Sequence, residues 1–126
     1  MISAALATAQ AYYNAWTSKD FDRAMTYIAE DIVCDAPAGR LVGAVEFRAF
    51  MEPFSKIVTR AELLAAFGDE DTAVLLYDTD TLPVSGAPGA ERITVRAAKI
   101  VHIRIIFDRL PFDIARRAAT PGPDEL

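Results

Sequence analysis

ERITVRAAKIVHIRIIFDRLPF, running from Glu91 to Phe112, reads as two strands joined by a tight turn. Ile93 and Val95 alternate with Arg92, Thr94 and Arg96, the period of a strand with one buried face. After Ala97-Ala98-Lys99 comes Ile100-Val101-His102-Ile103-Arg104-Ile105-Ile106-Phe107, apolar at nearly every position. A run of that kind belongs to a strand covered on both faces. Asp108 ends it, and Pro111 prevents its continuation. What covers each face is the question for the rest of the chain.

Working outward, Thr72 to Leu82 reads as the preceding strand, joined through a loose loop over Pro83 to Gly89. Arg60 to Phe67 suits a strand, although its Ala, Glu and Leu would equally serve a helix. Ahead of it the period changes. Leu6, Ala9, Tyr13 and Trp16 recur at helical steps in a first helix over Ile2 to Thr17. Asp20 is placed to cap a second helix over about Phe21 to Ala29, followed by a short strand over Ile32 to Asp35 that ends at Pro37-Ala38-Gly39. Gly43 precedes a third helix, Ala44 to Phe54, where Pro53 kinks or stops the last turn. A short helix over Leu110 to Ala119 and a frayed tail over Thr120 to Leu126 complete the reading.

Composition narrows the class. The 126 residues suit one domain over residues 1–119, and a 52% hydrophobic content supplies a packed core. Net charge is −5, and the 13 basic residues are scattered, which argues against nucleic acid as a partner. No apolar run is long enough to span a bilayer, so no membrane partner is expected. The first residues lack a basic region ahead of an apolar one, so no secretory leader is expected either. Cys34 is the sole cysteine, which excludes an internal disulfide and offers no metal cluster, and a reducing cytoplasm fits. Three helices followed by successive antiparallel strands make an α+β domain with helices on one face of the sheet. The other face of the last strand then needs a cover, most simply a second copy, so a homodimer through the sheet is expected.

The ordered set Tyr12-Tyr13-Asn14-Ala15-Trp16, Lys19-Asp20-Phe21-Asp22, Glu30-Asp31-Ile32-Val33, Gly43 with Phe50, and Lys99 through Asp108 resembles the NTF2-like superfamily, and within it the SnoaL-like group. The resemblance implies a cone: a strongly curved antiparallel sheet wrapped around a long helix, with a mostly apolar pocket between them. It covers about residues 5 to 115 and is specific for fold, not chemistry, because such domains include ketosteroid isomerases, polyketide cyclases, limonene-epoxide hydrolases, dehydratases and non-catalytic carriers. It implies no cofactor and a small apolar ligand. The pocket wall would draw on Trp16, Met51, Phe54, Asp80, Ile103, Ile105 and Phe107.

Taken residue by residue, the resemblance separates these chemistries. Tyr12 stands eight residues before Asp20, the spacing of the isomerases' oxyanion-donating tyrosine. Glu91 matches their second donor, a protonated acid. Their catalytic base, an aspartate directly before a proline, is replaced by Ala36, with Asp35 one position earlier. Alternation would turn Asp35 to the opposite face unless a bulge re-aims it, so steroid isomerisation is not expected. The epoxide hydrolases' aspartate falls on Ile105, and their arginine is missing near Asp78 and Asp80, so that reaction is not expected either. The cyclases' aspartate and histidine find counterparts only by type, in Asp108 or Asp78 with His102.

Each candidate has a structural alternative. Asp78 and Asp80 share a strand face; turned into the pocket with Glu91 they would form a desolvated acidic cluster with raised pKa values, and turned outward they would pair with arginines. The set Tyr12, Tyr13 and Trp16 serves as core or as pocket lining. His102 serves catalysis or a dimer interface, Asp108 chemistry or a helix cap. The functional expectation is a pocket protein that uses Asp78, Asp35 or Glu91 to move a proton beside a carbonyl, with Tyr12 stabilising the enolate. A carrier with the same pocket and a dimeric interaction module are the alternatives.

Overall fold

A computed structural model describes residues 2–119; the proposed tail over Thr120 to Leu126 lies outside them. Helices α1 (Ala4–Thr17) and α2 (Phe21–Met25) lead into strands β1 (Ile28–Ala36) and β2 (Gly39–Val42), then helix α3 (Ala44–Ile57). Strands β3 (Val58–Gly68), β4 (Thr72–Thr81), β5 (Gly89–Arg96) and β6 (Lys99–Phe107) follow, and α4 (Leu110–Ala119) ends the described chain. The six strands form one sheet in the order β2-β1-β6-β5-β4-β3. Every neighbouring pair is antiparallel except β1 and β6, which run parallel. The architecture is the α+β, NTF2-like cone.

The core lies between α1 and the concave face. Tyr12, Trp16, Leu75, Ile93, Ile100 and Ile103 are sealed from solvent there. Burial on β4 alternates strictly, with Ala73, Leu75, Tyr77 and Thr79 inside and Val74, Leu76, Asp78 and Asp80 outside. Asp20 caps α2 by accepting the Arg23 N–H at 3.1 Å, as its position suggests.

Several boundaries differ from the sequence reading, each for a tertiary reason. The Arg60–Phe67 ambiguity resolves as strand, because β3 pairs along its length with β4. The second helix stops at Met25, and β1 starts at Ile28, where Tyr27 O accepts the Ile100 N–H at 2.7 Å. A β1–β2 hairpin replaces the simple strand end at Pro37-Ala38-Gly39. The third helix runs through Pro53 to Ile57. Ser55, buried in the added turn, anchors that extension by donating its Oγ hydrogen to Trp16 O at 3.1 Å. The Lys19 ammonium donates to the carbonyls of Ser55 and Val58 at the helix end. Among the described residues the last strand is covered mainly on its inner face, and Ile106 on its outer face is 61% exposed. None of the described helices is long and apolar enough to cross a membrane.

Candidate functional site

A pocket of about 260 Å³ opens between α3, the concave sheet and α4. Phe50, Met51 and Phe54 supply one wall, and Ile105 and Phe107 of β6 the facing one. Tyr77, Thr79 and Gly89 contribute from β4 and β5, and Phe112 closes the space from α4 by packing edge-on against Phe54 and Phe107. The volume lies just below the roughly 300–1,000 Å³ usual for drug-sized ligands.

Glu91 lies beside this space at 1% exposure, opposite Leu75 on β4 and Ile105 on β6. Tyr77, in the pocket wall, donates its hydroxyl to Glu91 Oε2 at 2.6 Å. Desolvation pushes the Glu91 carboxyl up to about 7, against the opposing effect of that hydrogen bond. Burial, with the Glu91 charge adding to it, raises the Tyr77 and Tyr12 phenols well above their ordinary value. Glu91 Oε1, Tyr12 Oη, Tyr13 Oη and Trp16 Nε1 are all buried without a hydrogen-bond partner among the described residues. Tyr77 is also the ring against which Tyr13 and Trp16 pack, with centroids 5.5 and 5.7 Å away. Gly89 makes this approach possible. A Cβ there would sit 2.8 Å from the Tyr77 ring.

Met51, Phe54, Ile105 and Phe107 stand in the pocket wall, whereas Trp16 and Ile103 lie in the core behind it. Tyr12 is fully buried, tilted against Phe47 at 6.3 Å. The three aspartates go elsewhere. Asp78 and Asp80 fall on the outer face because Tyr77 and Thr79 take the inner one. Asp80 there accepts the Arg60 Nε–H at 2.8 Å and the Gly86 N–H at 2.7 Å. Asp35 is likewise outside, since no bulge re-aims it between Val33 and Asp35, where β1 stays in register with β6. It accepts Arg40 Nε–H at 2.8 Å and lies 2.8 Å from His102 Nε2. The Arg40 hydrogen bond, then that of His102, holds the Asp35 carboxyl well below the usual range. So the acidic pocket cluster of Asp78, Asp80 and Glu91 does not form, and Glu91 alone stands inside.

His102 therefore belongs to an outer-face network with Asp35. Asp108 caps α4, its Oδ1 accepting the Leu110 N–H at 3.0 Å. Cys34 is buried, its thiol pushed up to about 12 chiefly by desolvation. Among the described residues no group of three or more His, Cys, Asp or Glu is placed to hold a metal ion. Among the lining residues the sequence did not single out are Tyr77, Gly89, Phe112 and Arg109. Leu75, Tyr77 and Thr79 share the inner face of β4, and only the β4–β5 register brings Tyr77 opposite Gly89.

The fold and pocket can be set beside known proteins. A protein from Kribbella flavida is 59% identical, the match covering 91% of this chain and 95% of that one with a TM-score of 0.89. An NTF2-like protein from Cytophaga hutchinsonii shares the fold at 17% identity, with a TM-score of 0.72 over 84% of this chain and 91% of that one. A candidate polyketide cyclase from Sinorhizobium meliloti does so at 22% identity and a TM-score of 0.69, over 79% and 93% of the two chains. No curated protein matches the chain. The SnoaL-like domain model matches residues 9–105, nearly the whole of the helix-and-sheet unit that encloses the pocket, and the chain belongs to that family.

Proposed function

We propose that this protein is a cofactor-independent enzyme that moves a proton at the carbonyl or enol oxygen of a small, largely apolar molecule, with Tyr77 and Glu91 as the working pair. The carrying observation is the 2.6 Å hydrogen bond between a pocket-wall phenol and a buried carboxyl whose pKa is raised to about 7. A carboxyl poised there changes protonation state at neutral pH. With Glu91 ionised, the Tyr77 hydrogen is committed to it, and Tyr77 Oη accepts from an enol hydroxyl. As the enol proton passes to Tyr77, the phenol proton passes to Glu91, while the α-carbon takes a proton from water at the pocket opening; the hydroxide left there is neutralised when Glu91 returns its proton through Tyr77, which restores the carboxylate. The reverse sequence converts ketone to enol. Tyr12, buried near the same carboxylate, is a positioning residue in this reading.

The test follows deuterium incorporation into the α-position of small aryl ketones in D₂O. Exchange with a pH midpoint near 7 is expected for the wild type, with a loss on the order of 100-fold in Tyr77→Phe and Glu91→Gln. Exchange at wild-type rates in both variants would eliminate the mechanism.

One observation favours the carrier reading. Glu91 is 1% exposed and does not itself reach the cavity wall, so a bound molecule meets it only through Tyr77. A carrier would hold the same ketones in both variants and exchange nothing. We propose further that two copies associate through the outer sheet face.

A further inference from the structure

The pocket wall is apolar except at two places. Tyr77 and Thr79 give polar atoms on the sheet side, and Thr79 spends its hydroxyl on Ala87 O at 2.6 Å. Among the described residues, every charged lining residue comes from the segment after β6: Arg109, Asp113 and Arg116. Both arginines are exposed, which marks this as the solvent end. Asp113 is ion-paired with Arg116. The Arg109 guanidinium makes no hydrogen bond or ion pair among the described residues, although the chain carries 18 acids against 13 bases. Its segment is held in place independently: Asp108 caps α4, Arg109 O accepts the Asp113 N–H at 3.0 Å, and Phe112 anchors the helix on Phe54 and Phe107. Among the described residues, the opening of this aromatic pocket therefore carries an Arg116–Asp113 ion pair and the Arg109 guanidinium beside it, on a chain of net charge −5. An apolar ligand gains nothing from that arrangement.

We infer that the ligand is an amphipathic anion, with its carbonyl end at Tyr77, an apolar body between the phenylalanines, and a carboxylate received by Arg109. The inference rests on the reading of this pocket as the working site and names its substrate class. Arg suits the task because its planar donor fork meets a carboxylate with two parallel hydrogen bonds. Asp113 sharpens the choice, since it repels any anion that is not seated on the arginine side.

The probes are 3-(4-acetylphenyl)propanoate and its neutral amide, titrated calorimetrically into wild type, Arg109→Gln and Arg109→Lys. The acid is expected to bind about three- to tenfold tighter than the amide, the range for a partly solvated charge pair. That preference should shrink with added salt, vanish in Arg109→Gln and survive in part in Arg109→Lys. Equal affinity for acid and amide in the wild type overturns the inference, as does a preference that persists undiminished in Arg109→Gln. Binding of neither probe overturns it together with the pocket reading. Preferential binding of the acid without deuterium exchange at its acetyl group upholds the anion site and removes the proton-transfer mechanism alone.

Discussion

At the scale of single residues, Glu91 and Gly89 carry the sharpest consequences. The Glu91 carboxyl is raised from 4.5 to about 7 in the folded chain. Between those values the folded protein holds a proton that the unfolded chain has released, so stability falls as pH rises. The contribution is complete below the unfolded value and gone above the folded one, a difference of about 3 kcal/mol. Urea unfolding of wild type beside Glu91→Gln should therefore show the variant gaining relative stability of that order between about pH 4.5 and pH 7.5. Parallel curves would mean that Glu91 is not a desolvated acid. Gly89 acts through space, not through dihedral freedom. A methyl group there meets the Tyr77 ring at 2.8 Å and its hydroxyl at 3.2 Å. Gly89→Ala should cost about 1–3 kcal/mol by overpacking and detach Tyr77 from Glu91. In the double variant with Tyr77→Val the two costs should fall short of additive, because the second change removes the atoms that the first one strikes. Full additivity in thermal melts would exclude that contact.

Among the elements, the β5–β6 hairpin and the third helix separate what a linear pattern reveals from what packing decides. Ala97 and Ala98 close the hairpin with φ of 51° and 61°, between the paired Arg96 and Lys99. Left-handed dihedrals at both central positions define a turn that Asn-Gly adopts readily and alanine only at a cost of roughly 1–2 kcal/mol each. Replacing Ala97-Ala98 by Asn-Gly should raise the melting temperature by several degrees without touching the pocket. An unchanged or lower value would show the turn to be unstrained. Of the two strands flanking this turn, β5 was legible because Ile93 and Val95 alternate with charged and hydroxyl residues, and β6 because it is apolar at nearly every position. On β4 both sets are apolar, Val74 and Leu76 against Ala73, Leu75 and Tyr77. Alternation grouped Asp78 with Asp80 correctly but could not say which set meets α1, and that choice moves both acids out of the pocket. Asp35 was a question of register for the same reason. The helix that passes through Pro53 was not legible at all, since its extension depends on Lys19 and Trp16, more than thirty positions away in sequence.

At the scale of the whole molecule, the outer face of the sheet is what the described residues leave open. Leu76, Ala90 and Ile106 stand in register across β4, β5 and β6, with Leu76 43% and Ile106 61% exposed. Arg92 and Arg104 form the neighbouring row on one side of this apolar line. On the other side Asp78 pairs in register with Glu62 on β3. A two-fold axis lying along the apolar row, in the plane between two facing sheets, turns the arginine side of each copy over the acidic side of the other, with Arg92 on β5 one strand away from Asp78 on β4. Burial of Leu76 and Ile106 then supplies the attraction, and the charges set the orientation. Sedimentation velocity should find a dimer whose dissociation constant rises with salt. Ile106→Asp, which buries a carboxylate against its own copy on the axis, should yield a folded monomer. Charge reversal at Arg92 alone should weaken the dimer, and reversal of Asp78 in the same chain should restore it in part. A monomer at all concentrations in the wild type would leave the face to solvent and return Ile106 to the ordinary count of exposed apolar side chains.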